Sequence, residues 1–392
     1  MILFHILFWL SVLAIAHSYV LYPLLLKLIV RLKGEIQINT NTQATHQPKL
    51  SVLIAAYNES RIIEQKIRSI YKTNYPTHRI EVLIGSDNSS DGTNEILEKL
   101  SKEFNNLQFF VFEKRQGKIN IINQLEQKAS GVLLILTDAN VLMQADTLTE
   151  LVKYFSDERI GLVDTHMQNY GITRHGISFQ EKSYISHEVY VKSLESKTFG
   201  TMIGPFGGCY AIRKNLYTPV PSNYLVDDFF ICMNVLQKDK MAINNTNAIV
   251  YEDVSNNLAI EFKRKIRIGT GNFQNLWHFA PLWLNVFQPA GFCFFSHKIL
   301  RWFGPFFILL AFVSNIFLWP VALHYKIALL LQVIVTFSVI ADIFLKKIGF
   351  HVVLLRFVTH FYTMNLSLLI GFFKSLKGVK SNVWKPTERL QQ

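Results

Sequence analysis

The chain has 392 residues, half of them hydrophobic, with a mean hydropathy of +0.21. That excludes an ordinary soluble enzyme and fits one soluble domain with several membrane segments. The formal net charge of +12 comes without a nucleic-acid-binding motif, so no nucleic-acid partner is expected. Lys and Arg flank the apolar segments and are read as contacts to anionic lipid headgroups, with some left for a nucleotide diphosphate. The three cysteines, Cys209, Cys232 and Cys293, form no CxxC pair, which argues against a disulfide framework or a zinc site.

Residues 2–26 lack Asp, Glu, Lys and Arg and are long enough to span a bilayer. Lys27, Arg31 and Lys33 follow, so the positive-inside rule places the next segment in the cytoplasm. Residues 1–33 are therefore read as a transmembrane helix with a basic flank, and 34–48 as a polar linker.

From 49 to 275 short apolar runs alternate with helical spacing. Lys49 to Ala56 reads as a buried strand, Glu59 to Thr73 as a helix, and Ile80 to Gly85 as a second strand. Thr93 to Phe104 is a helix, Phe109 to Phe112 a strand, Ile119 to Ala129 a helix and Val132 to Leu136 a strand. This alternation predicts an α/β domain with a mostly parallel sheet, its ligands at the carboxyl ends of the strands. Residues 276–302 mix Trp277, Trp283, Phe287 and Phe292 with His297, Lys298 and Arg301, as interfacial amphipathic segments do. Residues 303–375 form a C-terminal transmembrane region, with spans at 303–322 and 326–345. A third apolar stretch, 355–373, contains Arg356, His360 and Asn365 and reads either as a span or as an interfacial segment. Residues 376–392 are a basic tail.

The chemical motifs fall just after strands. Asp87, in Asp87-Asn88-Ser89-Ser90-Asp91-Gly92, can accept hydrogen bonds from a base N–H or a ribose, as can Glu59 after Ala56-Tyr57. The competing reading is that Asp87, Asn88 and Asp91 are turn and N-cap residues. Asp138 and Asn140 follow a very apolar strand and can hold Mg²⁺ or Mn²⁺ against a diphosphate. Asp227-Asp228 is a carboxylate pair suited to a general base, or else an acidic helix start. Phe206-Gly207-Gly208 lies in a Gly-rich turn that lets an acceptor approach the backbone, or is only a turn. Lys118, Arg264 and Arg267 are candidates for phosphate contact.

Taken in order, Tyr57-Asn58-Glu59, the Asp87 to Thr93 segment, Arg115-Gln116-Gly117-Lys118, Thr137-Asp138-Ala139-Asn140, Phe206-Gly207-Gly208 and Asp227-Asp228 resemble the inverting family 2 glycosyltransferases. Within these the chain is similar to the membrane-embedded group of cellulose, hyaluronan and poly-N-acetylglucosamine synthases. The resemblance implies a GT-A fold, a UDP-sugar donor, a divalent metal and a cytoplasmic catalytic domain on a multi-pass protein of the cell membrane. It also implies that Asp87 binds uridine, Asp138 sits at the metal–diphosphate site, and Asp228 is the base.

Two departures stand out. Asn140 occupies a position where the family usually has Asp, and Arg264-Lys265-Ile266-Arg267-Ile268 lacks the Trp of the processive synthases' Gln-x-x-Arg-Trp motif. The expectation is an enzyme that moves a sugar from a UDP-sugar to a polysaccharide or lipid-linked glycan with a β-linkage. The alternative is a non-catalytic membrane subunit or nucleotide sensor. The sugar, the acceptor, processivity and any partner subunits are not specified by the sequence.

Overall fold

A computed structural model describes residues 1–40, 47–170, 178–253, 258–379 and 381–383. In chain order, α1 (Ile2–Ala16) continues through a π-helical turn, His17–Leu21, into α2 (Tyr22–Lys33). Then come β1 (Leu50–Ala56), α3 (Ile63–Tyr71), β2 (Ile80–Asp87), α4 (Thr93–Glu103), β3 (Leu107–Phe112), α5 (Lys118–Lys128), β4 (Leu133–Thr137), β5 (Leu142–Met143), α6 (Thr147–Val152) and β6 (Ile160–Tyr170). They are followed by α7 (Ser178–Phe199), β7 (Cys209–Arg213), α8 (Asp227–Gln237) and β8 (Met241–Asp253). The remaining helices are α9 (Leu258–His278), α10 (Ala280–Leu284), α11 (Pro289–Cys293), α12 (Leu300–Trp302), α13 (Gly304–Leu318), α14 (Leu323–Lys347) and α15 (Val353–Leu376).

The chain forms two compact units. One comprises residues 30–171, 186–255 and 379–392, and the other comprises 1–29, 172–185 and 256–378. The first is built on an eight-stranded sheet ordered β3-β2-β1-β4-β7-β6-β8-β5. Strands β3, β2, β1 and β4 are mutually parallel, as the alternation of apolar runs and helices predicts. β7 joins β4 antiparallel, β6 pairs antiparallel with β7, and β5 closes the sheet antiparallel to β8. β6 and β8 pair in parallel, with register shifts near Gly161 and Thr165. Both faces of β1 and β4 are covered, so every residue of these strands is buried and both read as continuous apolar runs.

α3 begins at Ile63, four residues later than the spacing predicts. Asn58 adopts a left-handed conformation (φ 53°), and the N–H groups of Ile62 and Ile63 donate to the Glu59 carbonyl, so Glu59 to Arg61 form a turn first. Residues 35–39 of the stretch read as a linker are tied to the sheet unit, while 41–46 lie outside the described residues. The Ile36 N–H donates to the Lys197 carbonyl (2.9 Å), Lys197 pairs with Glu35 (2.6 Å), and the Asn39 N–H donates to Asp157 (3.2 Å).

The second unit is helical. Among the described residues, three helical stretches are long and apolar enough to cross a membrane: residues 2–33, α14 and α15. The pair Pro289–Trp302 and α13 is bent by 60° and becomes a fourth if the pair is one span. Pro305 sits in the first turn of α13, where its missing N–H costs nothing and where it marks a new helix start. α9 and α15 cross through glycine: a Cβ on Gly371 would lie 2.8 Å from the Gly269 carbonyl carbon. Gly269 and Gly371 therefore set how closely the two backbones approach. Next to this crossing, Lys265 pairs with Glu181 (2.6 Å) and Glu261 (3.5 Å), and His360 contacts Glu181 (3.2 Å). The costly His360 of the third apolar stretch thus has a buried acidic partner.

Candidate active site

Parallel register brings the first motifs to one edge. Ala56 lies beside Ser86, and Asp87 lies beside Phe112, so the loops after β1, β2 and β3 leave the sheet together. The first two loops lock to each other. Asn58 Oδ1 accepts the Ser90 N–H (2.9 Å), the Asn58 N–H donates to Ser89 Oγ (3.1 Å), and the Glu59 N–H donates to Thr93 Oγ1 (2.9 Å). Asp91 accepts the N–H groups of Ser60 (3.0 Å) and Thr93 (3.1 Å). The turn reading therefore holds for Asp91, while the N-cap of α4 is Gly92.

Asp87 has a different role in the fold. It is fully buried and accepts three N–H bonds: from Arg115 Nε (3.0 Å), Gln116 N (2.6 Å) and Gly117 N (3.0 Å). The Arg115 guanidinium in turn lies 3.3 Å from the centroid of the Tyr57 ring. Tyr57, Asp87 and Arg115 thus form one layered cluster, with the Ala56 side chain buried in the sheet behind it.

The antiparallel step in the sheet joins the next two motifs. Thr137 pairs with Cys209, so the Asp138 N–H donates to the Gly208 carbonyl (2.9 Å), as does Thr137 Oγ1 (2.9 Å). Asn140 Nδ2 faces Glu252 Oε1 at 3.4 Å. Beneath this loop lies Lys66, fully buried, which donates to Thr137 Oγ1 (2.8 Å) and to the Val141 carbonyl. Burial pulls its ammonium down to about 8, against the pull of Cys209 and Asp138.

Lys118, the first residue of α5, bridges two motifs: its Nζ lies 2.7 Å from Asp138 Oδ1 and 3.4 Å from Asp227 Oδ2. Burial disfavours its charge, yet Asp138 and Asp227 outweigh that and hold the ammonium above its ordinary value. Asp227 and Asp228 form the first turn of α8, and the Phe229 N–H donates to Asp228 Oδ1 (2.8 Å), so the acidic helix start and the carboxylate pair are the same feature. Burial first, and Asp227 second, push the Asp228 carboxyl up to about 7, while Lys118, the Phe229 N–H and Lys192 oppose the rise.

Gly207 takes φ +79° and presents its α-carbon to this carboxylate; a Cβ there would overlap Asp228 Oδ2 and lie 2.9 Å from Cγ. Only glycine fits both the left-handed backbone and the approach. Phe206, Gly207 and Gly208 therefore link the Asp138 strand end to the base candidate.

The Lys118 ammonium pairs with Asp138 and Asp227 and also favours the Asp228 carboxylate. Among the described residues no group of three or more His, Cys, Asp or Glu forms a closed metal site. Asp138 and Asn140 suit instead a hard cation that keeps water and takes phosphate oxygens. Arg264 and Arg267 lie on α9 in the helical unit, where Arg264 contacts Glu261 (3.4 Å). Sequence reasoning passed over Lys66, although a lysine within the apolar stripe of Ile63, Ile67 and Ile70 was a signal. It also passed over Asp164 and Lys192, whose partners are distant in sequence.

Residues 51–218 match the family described as Glycosyl transferase family 2. A beta-monoglucosyldiacylglycerol synthase of Trichormus variabilis is 34% identical over 118 residues, covering 30% of this chain and 25% of that protein. A poly-beta-1,6-N-acetyl-D-glucosamine synthase of Staphylococcus aureus is 31% identical over 115 residues, 29% of this chain and 27% of that protein. These matches span about a quarter of the relatives' length. A probable glycosyltransferase of Bacillus subtilis aligns over 372 residues at 22% identity, covering 88% of each chain. Among solved structures, a mannosyltransferase from Pyrobaculum calidifontis in complex with GDP-Man and Mn²⁺ superposes with a TM-score of 0.70 at 20% identity, covering 94% of this chain and 99% of its own. That likeness is one of fold, and residues 51–218, which match Glycosyl transferase family 2, lie within it.

Proposed function

We propose that this protein is a membrane-bound inverting glycosyltransferase that moves a sugar from a UDP-sugar to a glycan or lipid-linked acceptor. The observation that carries the reading is Lys118, which bridges Asp138 and Asp227 and so puts the diphosphate motif and the carboxylate pair in one crevice. The relatives named as synthases of a glycolipid and of a polysaccharide support both acceptor classes. The GDP-Man and Mn²⁺ of the mannosyltransferase support a nucleotide-sugar donor and a divalent cation, Mg²⁺ or Mn²⁺.

In this reading Tyr57, Glu59 and Asp87 receive the nucleoside, with the Ala56 backbone beside them. Asp138 and Asn140 hold the divalent cation, and Lys118 turns from Asp138 to the diphosphate. The cation, when bound, stabilises charge on the leaving diphosphate. Arg264 and Arg267 contact phosphate or lipid headgroups. Phe206, Gly207 and Gly208 line the acceptor approach. Asp228, with a carboxyl poised near neutrality by burial and Asp227, takes the proton of the acceptor hydroxyl. That oxygen attacks the anomeric carbon from the face opposite the diphosphate, the bond to the diphosphate breaks, and the configuration inverts to a β-linkage. The apolar helices hold the protein in the cell membrane, with the sheet unit on the cytoplasmic side.

The test is UDP release by the full-length protein in nanodiscs, across a panel of UDP-sugars and GDP-mannose, beside Asp228→Asn. Release with one donor, lost in the variant although UDP still binds, supports the reading. Turnover retained by the variant refutes Asp228 as base. Nucleotide binding without release for any donor, lipid extract included, favours a non-catalytic nucleotide sensor.

A further inference from the structure

Asp164 and Lys192 are a buried ion pair that the proposed chemistry does not use. Asp164, on β6, is fully buried, and Lys192, on α7, is 2% exposed. Lys192 Nζ lies 3.5 Å from Asp164 Oδ2 and 4.0 Å from the centroid of the Phe206 ring. The Phe206 N–H donates to both Asp164 oxygens, at 3.4 and 3.3 Å. The next residue is Gly207, whose α-carbon faces the Asp228 carboxylate. The pair therefore grips the residue before the glycine that touches the base candidate. Charge this deep is costly to bury, and packed apolar side chains would serve stability as well, so its retention here points to a task.

We infer that Asp164 and Lys192 are positioning residues: they fix the Phe206-Gly207 turn against Asp228 and set the electrostatic field in which that carboxylate ionises. The inference rests on the assignment of Asp228 as base for its catalytic consequence, but not for its electrostatic one. The groups facing Asp228 are Asp227 on its own helix, Lys118 at the start of α5, Lys192 on α7, Tyr210 on β7 and Cys232 on α8. Burial, first among the causes, pushes the Tyr210 hydroxyl well above its ordinary value and the Cys232 thiol up to about 12, so both are neutral at working pH. Among the described residues that leaves the Asp227 anion and the Lys118 and Lys192 cations beside Asp228, with Asp164 behind Lys192. Lys118 also serves Asp138 and Asp227, so Lys192 is the cation whose removal acts on Asp228 without unmaking the diphosphate motif. The Lys192 charge favours the Asp228 carboxylate, so its removal moves Asp228 to higher pH. Asp164 stands behind Lys192 as its partner, with burial lifting its carboxyl to about 6. Above that pH an anion there disfavours a second anion by Coulomb's law, so its removal moves Asp228 the other way.

The experiment needs no sugar donor. Full-length protein in nanodiscs is treated with a water-soluble carbodiimide and glycine ethyl ester across a pH series, which couples protonated carboxyls. Peptide mass spectrometry then reads the midpoint for Asp228 in wild type, Lys192→Met, Lys192→Arg and Asp164→Asn. The expected result is a midpoint moved to higher pH in Lys192→Met, to lower pH in Asp164→Asn and little moved in Lys192→Arg. Asp164→Asn keeps an oxygen for the Phe206 N–H, so its shift reports charge. Where a donor supports turnover, the acid limb of UDP release should move in the same directions, and kcat should fall about tenfold for Lys192→Met, the effect of one charge-assisted hydrogen bond. Midpoints that stay together, or move the same way in Lys192→Met and Asp164→Asn, overturn the inference. Should Lys192→Met fail to fold, Lys192→Arg and Asp164→Asn still decide it. Opposite midpoint shifts alongside turnover in Asp228→Asn would keep the electrostatic result and remove the base assignment.

Discussion

Replacing Gly207 with alanine tests whether the turn positions Asp228, the proposed base. The backbone there has φ +79°, which a side chain tolerates at a cost of about 1–2 kcal/mol. The added methyl would overlap Asp228 Oδ2 and lie 2.9 Å from its Cγ, where ordinary contact begins at 3.4 Å. The carboxylate or the turn must therefore retreat by roughly 1 Å, and a displacement of that size at a reacting group costs about a hundredfold in rate. Gly349 supplies the control. Its φ is +83°, and nothing lies within 4 Å of a Cβ built there, so Gly349→Ala carries the backbone cost alone. The assay is UDP release under saturating donor, with UDP affinity and thermal midpoint measured alongside. Gly207→Ala should lose about a hundredfold in kcat while keeping UDP affinity, and Gly349→Ala should lose a similar amount of stability with kcat unchanged. Equal kcat for Gly207→Ala and wild type, or equal losses in the two variants, would refute the positioning argument.

Three further outcomes are expected. The Asp228 carboxyl is raised to about 7, so it stabilises the fold only while protonated, and that contribution is lost as pH rises through about 7. Asp228→Asn should thus gain thermal midpoint relative to wild type as pH rises from about 4 to about 7 and no further above it, and a constant difference across that window would contradict the shift. Burial pulls Glu81 up, but bonds from Ser130 and Ser51 outweigh it and hold the carboxyl below its usual value, so its contribution is present above the ordinary value and lost as pH falls through the lower one. Glu81→Gln should cost about 2 kcal/mol in denaturant melts near neutral pH, and a loss that persists undiminished in acid would speak against the ionised pairing. Gly371→Val would force α15 off the Gly269 backbone, and should lower the thermal midpoint in detergent more than a valine at an exposed position of α14 does.

Much of this protein is legible in its sequence because the signals are local. Unbroken apolar runs such as Leu133 to Leu136 declare buried strands, since a strand covered on both faces has no polar side to show. The motifs at Asp87, Asp138 and Asp227 follow from strand ends and a helix start, which neighbouring residues specify. Only the tertiary structure decided which of these residues meet. The antiparallel entry of β7 beside β4 puts Gly208 on Asp138, across 70 residues of chain. Burial of Asp87 under Arg115, of Lys66 under the Thr137 to Val141 loop, and of Lys192 against Asp164 are long-range pairings that no period or spacing encodes. Charge in an interior is tolerated only where a partner arrives from elsewhere, and that arrival is a property of the assembled sheet.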